Sequence, residues 1–296
     1  MFSNLKQGLR RRLLGRRLHQ RLIDDHRTLG LLGNRYYQER HPEIIPPGHT
    51  KSLQSFEYSC YSQNGEDGII LYLLSRIKVE SYFMVEIGTE DGRECNSANL
   101  ILNYGWYACL IETNPEMARE AKLYFSDCDA GERVHVLNER ATPENINKLF
   151  IDTSVPRHTD ILSIDIDSHD YWLWEAIDVI EPRLVIIEYN ASFGPTLSVT
   201  IPRGEPPMLT PKLARYYQGA SITALHRLGK RKGYDLVGVD VKGVNAFFIR
   251  QDLTAAAGLK PAEPEQVFRS HFKRTQKKSL EAQLEIIKGF DLTEIE

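Results

Sequence analysis

Short apolar runs alternate with amphipathic segments along most of the chain. Seven runs rich in β-branched and aromatic residues predict strands, at residues 82–87, 106–111, 133–137, 160–164, 183–189, 234–239 and 245–249. Apolar residues three and four apart predict helices, at residues 65–77, 96–103, 115–125, 143–150, 171–180 and 219–232. Strands that alternate with helices predict an α/β domain with a mainly parallel sheet and helices on both of its faces.

The last two predicted strands break this alternation. Only residues 240–244 separate them, which is too few for a helical crossover. They are therefore expected to pair as an antiparallel hairpin beside five parallel strands linked by helices. A Rossmann-like sheet of seven strands that closes in this way is typical of class I S-adenosylmethionine-dependent methyltransferases, and it differs from a dinucleotide-binding sheet.

The first fifty residues lie outside this pattern. From Lys6 to Arg21 every charge is positive, and leucines recur there at helical spacing. This favours an amphipathic helix that contacts an anionic membrane or a partner protein through residues 1–30, or a leading helix docked on the domain. An organelle-targeting peptide is a third interpretation, because the segment is rich in arginine and poor in acids.

The chain is expected to divide into three parts. These are a basic N-terminal extension and linker (residues 1–50), a methyltransferase domain (51–250) and a C-terminal helical appendage (251–296) with one amphipathic helix over residues 265–288. A net charge of -3 does not favour a nucleic-acid partner. Four cysteines without a CxxC pair predict neither a zinc site nor a disulfide framework. They favour the cytoplasm, with peripheral binding at the inner face of a membrane left open by the basic extension.

A turn with two glycines, followed by an acid, predicts a nucleoside site. The first strand carries Glu86 near its end and turns through Gly88 and Gly92, where the absence of a side chain allows a ligand to approach the backbone. The second strand ends on Glu112, which is placed to accept hydrogen bonds from ribose hydroxyls. Asn138 closes the third strand and is either an adenine contact or a turn former.

Polar side chains crowd the ends of the fourth and fifth strands. Asp165 and Asp167 end the fourth strand, His169 opens the next helix, and Glu188 ends the fifth strand. Together with Asn190, the acids Asp165, Asp167 and Glu188 are candidate oxygen ligands for Mg²⁺. The alternative is a hydrogen-bonded polar cluster without a metal, in which some of these residues cap the helix. Capping does not explain Asp165, which interrupts an apolar run.

Four segments resemble FkbM-type methyltransferases, class I enzymes that often act on sugars, surface glycans and polyketide glycosides. The segments lie at residues 61–68, 85–88, 162–167 and 245–248. The resemblance implies that Gln63 and Glu66 lie near the methionine end of S-adenosylmethionine and that Glu112 binds its ribose. It implies that Glu86, Gly88, Thr89 and Asp91 surround the cofactor. The glycine turn of the family usually opens with Asp, where this chain has Glu86.

The leading hypothesis is S-adenosylmethionine-dependent O-methylation of a hydroxyl on a sugar or glycan precursor. Asp167 or His169 would act as the base, while Asp165 and Glu188 would orient the acceptor or a cation. A glycosyltransferase that holds a metal and a nucleotide sugar through Asp165 and Asp167 is the first alternative. A non-catalytic scaffold with a methyltransferase fold, recruited through the basic extension, is the second.

Overall fold

The computed structural model describes residues 52–204 and 209–296, so the basic extension of residues 1–50 lies outside the described residues. The strands are β1 (Phe83–Ile87), β2 (Tyr107–Glu112), β3 (Val134–Asn138), β4 (Ile161–Ile164), β5 (Leu184–Glu188), β6 (Val199–Thr200), β7 (Tyr234–Val239), β8 (Asn245–Arg250) and β9 (Thr293–Glu294). Seven of them form one sheet in the order β3-β2-β1-β4-β5-β8-β7. The short strands β6 and β9 pair separately.

The sheet confirms the predicted fold class. Strands β1 to β5 run parallel, whereas β8 is antiparallel to both β5 and β7. This is the predicted hairpin at the edge of a parallel sheet, and it gives the chain the Rossmann-like sheet order of class I methyltransferases. Because β1 and β4 are neighbours whose crossover connections lead in opposite directions, their carboxyl ends form the switch point where such sheets bind ligands.

Helices cover both faces of the sheet. They are α1 (Glu66–Ile77), α2 (Ala98–Tyr104), α3 (Pro115–Asp127), α4 (Ile146–Asp152), α5 (Asp170–Ala176), α6 (Pro211–Ala214), α7 (Ile222–Lys232), α8 (Gln251–Thr254), α9 (Pro264–Val267), α10 (Phe272–Thr275) and α11 (Leu280–Ile287). Alternate strand residues face opposite layers: Val85 packs with α5 and α7 residues in one apolar cluster, and Met84 packs with α1 residues in another. No helix among the described residues has the length and apolar character that crossing a bilayer requires.

The predicted C-terminal helix over residues 265–288 is divided into three short helices, α9, α10 and α11. The hydrophobic spacing is helical, but contacts with the domain interrupt it. The backbone of Arg269 exchanges hydrogen bonds with the Tyr189 hydroxyl, and the Phe272 N–H donates to the Lys242 carbonyl at 2.8 Å. Ser279 then caps α11 by accepting a bond from the Ala282 N–H. These competing partners outweigh the local helix preference.

A buried acid fixes the start of the sheet. Asp160 is fully buried, and its carboxylate accepts hydrogen bonds from the backbone N–H groups of Glu80, Ser81 and Tyr82 at 2.7–2.9 Å. The buried guanidinium of Arg183 lies 3.7 Å from the same carboxylate. Asp160 therefore connects the loop before β1 to Arg183, the residue that precedes β5.

Replacing this acid is expected to be costly. Asp160→Ala leaves three backbone N–H groups without their charged acceptor and removes one of the two acids beside Arg183, so the free energy of unfolding should fall by about 3 kcal/mol or more. Asp152→Ala, which removes an exposed ion pair with Lys148, should cost less than about 1 kcal/mol. Urea unfolding of both variants measures the difference. Equal midpoints would show that Asp160 does not hold the sheet.

Candidate active site

A cavity of about 1300 Å³ lies at the carboxyl ends of β1, β2, β4 and β5. Most of its walls are loops that follow these strands, and the β7–β8 turn and the C-terminal segment close another side. The candidate residues that line it are Gln63, Glu66, Glu86, Gly88, Thr89, Glu112, Asp165, Asp167, His169 and Glu188. Pockets for single drug-sized ligands span roughly 300–1,000 Å³, so this one has room for a cofactor and an acceptor together.

Gly88 lets the ends of β1 and β4 approach each other. Its φ of +86° lies in the left-handed region, and a Cβ atom built on it would lie 1.6 Å from the carbonyl oxygen of Asp165. The Gly88 N–H also donates to the Ile111 carbonyl at 2.9 Å. Only glycine satisfies both the backbone angle and the close contact at this position. The turn thereby brings the predicted nucleoside motif and the first acid of the polar cluster to one place.

Two buried glutamates fix the position of residues that form the cavity wall. Glu86 accepts hydrogen bonds from the N–H groups of Asn96 and Ser97, both at 2.8 Å, and so caps the start of α2. Glu66 accepts a bond from the side-chain amide of Asn245 at 2.8 Å and thereby joins α1 to β8. Burial raises the pKa of Glu86, although its hydrogen bonds oppose the shift. Both residues position backbone around the cavity as well as lining it.

The predicted ribose acid lies on the opposite side of the glycine turn. The Glu112 carboxylate accepts bonds from the N–H groups of Glu90 at 2.9 Å and Asn114 at 2.7 Å, which fixes its direction. Each oxygen keeps a further lone pair for a ligand. Thr89 is buried between these parts, and its hydroxyl has no hydrogen-bond partner among the described residues. Thr89 lines the cavity, but its hydroxyl oxygen is not exposed to it.

Two predicted cofactor residues lie outside the cavity lining. The Asn138 amide donates to the carbonyls of Glu112 and Thr113, so it braces the end of β2. Asp91 forms an ion pair with Arg93 at 2.6 Å. The turn-former interpretation of Asn138 fits this geometry, because its side chain serves local backbone.

Three carboxylates converge at the floor of the cavity. Oxygens of Asp165, Asp167 and Glu188 lie within 4.8 Å of one another. Water in the cavity reaches Asp165, but the surrounding protein removes much of its hydration; this desolvation, with the charges of Asp170 and Asp167, raises its pKa well above the usual range. Burial and the charge of Asp165 likewise raise the pKa of Glu188. Asp165 and Glu188 therefore oppose each other's ionisation.

One member of the predicted metal set is held by other hydrogen bonds. Asn190 lies beside the cluster, but its amide donates to the carbonyls of Tyr216 and Gln218 and its oxygen accepts from Ser192 and Arg274. These two donors use both lone pairs of the Asn190 oxygen, whereas Asp165, Asp167 and Glu188 stay candidate ligands, as the sequence predicts.

The loop that carries the acids is held in an uncommon conformation. Asp167 has a φ of +55°, which Asp tolerates better than most residues. The buried carboxylate of Asp170 accepts bonds from the N–H groups of Ile166 and Ser168, which folds the loop over the start of α5. Burial raises the pKa of Asp170 to about 6. His169, at the N-cap of α5, is 9% exposed and reaches the cavity from this loop.

Sequence reasoning missed two residues that organise the acids. The Gln218 amide donates to Asp167 at 3.0 Å and to Glu188 at 3.3 Å. The guanidinium of Arg274, from the C-terminal segment, lies 4.0 Å from Glu188 and donates to Asn190 at 2.7 Å. Neither residue stands in a motif, and both are distant in sequence from the strands they serve. Their polar character was the only signal in the sequence.

No family model and no curated protein matches the chain. A solved structure of a putative caffeoyl-CoA O-methyltransferase from Staphylococcus aureus is 17% identical with a TM-score of 0.43, over 79% of this chain and 99% of that one. The N-terminal domain of EvdMO1 with SAH bound is 13% identical with a TM-score of 0.42, over 73% and 94%. The mitomycin 7-O-methyltransferase MmcR is 16% identical with a TM-score of 0.35, over 62% and 56%, so the chain spans little more than half of MmcR. Similarity at this level carries no argument about activity.

Proposed function

We propose that the protein is an S-adenosylmethionine-dependent O-methyltransferase that acts on a hydroxyl group of a sugar or glycan precursor. One observation carries the proposal: the glycine turn, the Glu112 carboxylate and the three clustered acids all face one cavity at the switch point of the sheet. The assignment of the acceptor to sugars rests on the resemblance to FkbM-type enzymes.

The protein would mainly position the reactants. When bound, S-adenosylmethionine supplies an activated methyl group whose sulfur leaves with the bonding electron pair. Glu112 would hold the ribose while Gly88 lets the cofactor approach the backbone. The acid cluster then holds the acceptor hydroxyl in line and takes its proton as the oxygen attacks.

Among the acids, Asp165 is our choice for the proton acceptor. Its backbone lies against Gly88, and its carboxylate lies in the cluster with Asp167 and Glu188. A raised pKa brings a carboxyl group closer to neutral pH, where a general base works best. The sequence favours Asp167 or His169 for this role, and both also line the cavity.

Calorimetry with S-adenosylmethionine and S-adenosylhomocysteine tests the proposal. Both should bind with one site per chain, and labelled methyl groups should pass from the cofactor to hydroxyl groups of extracted cell glycans. Absence of cofactor binding at millimolar concentration would reject methyl transfer. Preferential binding of UDP-glucose or GDP-mannose would favour the glycosyltransferase alternative, in which Asp165 and Asp167 hold a nucleotide sugar.

Glu112→Ala should weaken cofactor binding while leaving the fold intact. Loss of hydrogen bonds to a charged acceptor costs about 1.5–3 kcal/mol, which corresponds to a decrease in affinity of roughly 10–150-fold. Calorimetry measures the dissociation constant. Glu139→Ala is the matched control, because Glu139 is an exposed acid just beyond β3 and does not line the cavity. Equal affinities of the two variants would refute the ribose assignment.

Magnesium dependence, a cytoplasmic location and membrane contact through residues 1–30 stay predictions from the sequence. The carboxylates of Asp165, Asp167 and Glu188 fit Mg²⁺ in type, and a bound ion would lower the pKa of an acceptor hydroxyl. Methyl transfer measured after treatment with EDTA, and again after Mg²⁺ is restored, tests the predicted magnesium dependence. Full activity in EDTA would assign the cluster to proton transfer alone.

A further inference from the structure

Basic side chains as well as acids line the cavity. Acids stand at the ends of the parallel strands, as described above. Basic residues reach the cavity from the β7–β8 turn, from the residue after α6 and from the C-terminal segment, where Arg274 lies 4.0 Å from Glu188. We call this group the basic wall; it consists of Lys242, Arg215, Lys273, Arg274 and Lys277.

The basic wall is a connected surface. The backbones of Lys242 and Phe272 are joined by a hydrogen bond of 2.8 Å, and the Lys242 ammonium lies 4.4 Å from the centre of the Phe272 ring. Burial, together with the charges of Arg274 and Lys273, lowers the pKa of His271 to about 4. Burial also lowers the pKa of Arg274, and the charge of Arg215 adds to this shift. The nearby acids Glu188 and Asp167 oppose the shift at Arg274.

Two lysines of the wall lack an acidic partner. Lys273 and Lys277 are exposed toward the cavity, and no carboxylate of residues 52–204 or 209–296 pairs with either ammonium group. Lys273 lies in α10 and Lys277 in the turn that follows it. Phe272 stands beside them with 48% of its surface exposed, and a ring in that position can pack against a sugar.

The proposed cofactor does not account for this surface. S-adenosylmethionine carries a positive sulfonium and ammonium and one carboxylate, so the acids at the strand ends suit it better than several cations. Phosphate groups present more charge and more acceptor oxygens than a carboxylate, and clustered Lys and Arg side chains bind them well.

We propose that the methyl acceptor is a phosphorylated sugar whose phosphate or diphosphate group is held by the basic wall. The inference rests on the proposed function and specifies its substrate class. The phosphate would anchor the acceptor at one side of the cavity, Phe272 would contact the sugar ring, and the hydroxyl would extend toward Asp165. A neutral glycan would leave the wall without a ligand.

Calorimetry with inorganic pyrophosphate tests this, on protein saturated with S-adenosylhomocysteine in a buffer with EDTA. The wild-type protein should bind one pyrophosphate, and Lys273→Glu/Lys277→Glu should weaken it by about tenfold or more. Lys122→Glu/Lys260→Glu is the matched control, since both lysines are exposed and neither lines the cavity. The control should stay within about twofold of the wild type, as charges this far away are screened.

A comparison with inorganic phosphate distinguishes a monophosphate group on the acceptor from a diphosphate group. Equal affinity would identify a monophosphate, and clearly tighter pyrophosphate would identify a diphosphate; either supports the inference. No binding of pyrophosphate to the wild type, or equal loss in both double variants, would overturn it. If S-adenosylhomocysteine binds and pyrophosphate does not, this inference alone fails; if S-adenosylhomocysteine does not bind, the proposed function fails with it.

Discussion

Asp165→Asn is expected to reduce methyl transfer by about 10²–10⁴-fold, the usual contribution of a positioned proton acceptor. The cofactor should bind with nearly unchanged affinity, because the substitution keeps the shape of the side chain and the backbone contact with Gly88. Rates from labelled cofactor and calorimetric affinities measure the two effects. Asp178→Asn makes the same chemical change at an exposed site beyond α5 and should leave both values unaltered.

The same substitution should also stabilise the protein at neutral pH. The pKa values of Asp165 and Glu188 are raised in the folded state, mainly by burial. Above the ordinary carboxyl pKa of about 4, the unfolded chain has released protons that the folded protein still holds, so the free energy of unfolding falls as the pH rises. Asp165→Asn should make this fall shallower, as measured by urea unfolding in EDTA. A loss of stability at pH 7 together with full activity would contradict the role of Asp165.

Gly88→Ala should disrupt the site and destabilise the fold by several kcal/mol. The added Cβ atom would lie 1.6 Å from the Asp165 carbonyl, so the ends of β1 and β4 would have to separate. Overpacking of this kind costs about 1–3 kcal/mol or more, and the strained φ adds about 1–2 kcal/mol. Thermal unfolding and cofactor calorimetry measure the outcome.

A second glycine separates the two causes. Gly233 follows α7 with a φ of +83°, close to that of Gly88, but a Cβ atom there would have no neighbour within 4 Å. Gly233→Ala should therefore show the conformational cost alone, about 1–2 kcal/mol. If the two variants unfold alike and both bind S-adenosylhomocysteine, the contact between Gly88 and Asp165 does not shape the site.

The sequence predicts the sheet well because hydrophobic periodicity reports burial. The predicted strand over residues 234–239 has the same first and last residues as β7, because the pattern of apolar residues reflects how this strand packs in the sheet. The acids at the strand ends follow from the same logic, because parallel strands deliver their carboxyl ends to one edge. Gly88 and Glu112 therefore meet in the cavity as predicted from their positions alone.

Hydrogen-bond partners carry no such periodicity. Asn190 has the residue type and position of a ligand, but Arg274, which is 84 positions away, occupies its oxygen. Arg274 itself belongs to a segment whose spacing predicts one helix, and tertiary contacts divide that segment. The basic wall was missed for the same reason, since only the fold brings Arg215, Lys242 and the C-terminal segment together. Long-range polar pairing is thus what the sequence did not reveal.

A crystal structure of the protein with S-adenosylhomocysteine tests the central claim most directly. The ribose hydroxyls should lie about 2.5–3.0 Å from the Glu112 carboxylate, with the adenosine beside Gly88 and the sulfur facing Asp165. Density for the nucleoside outside this cavity, or bound with its ribose turned away from Glu112, would contradict the proposed methyltransferase site.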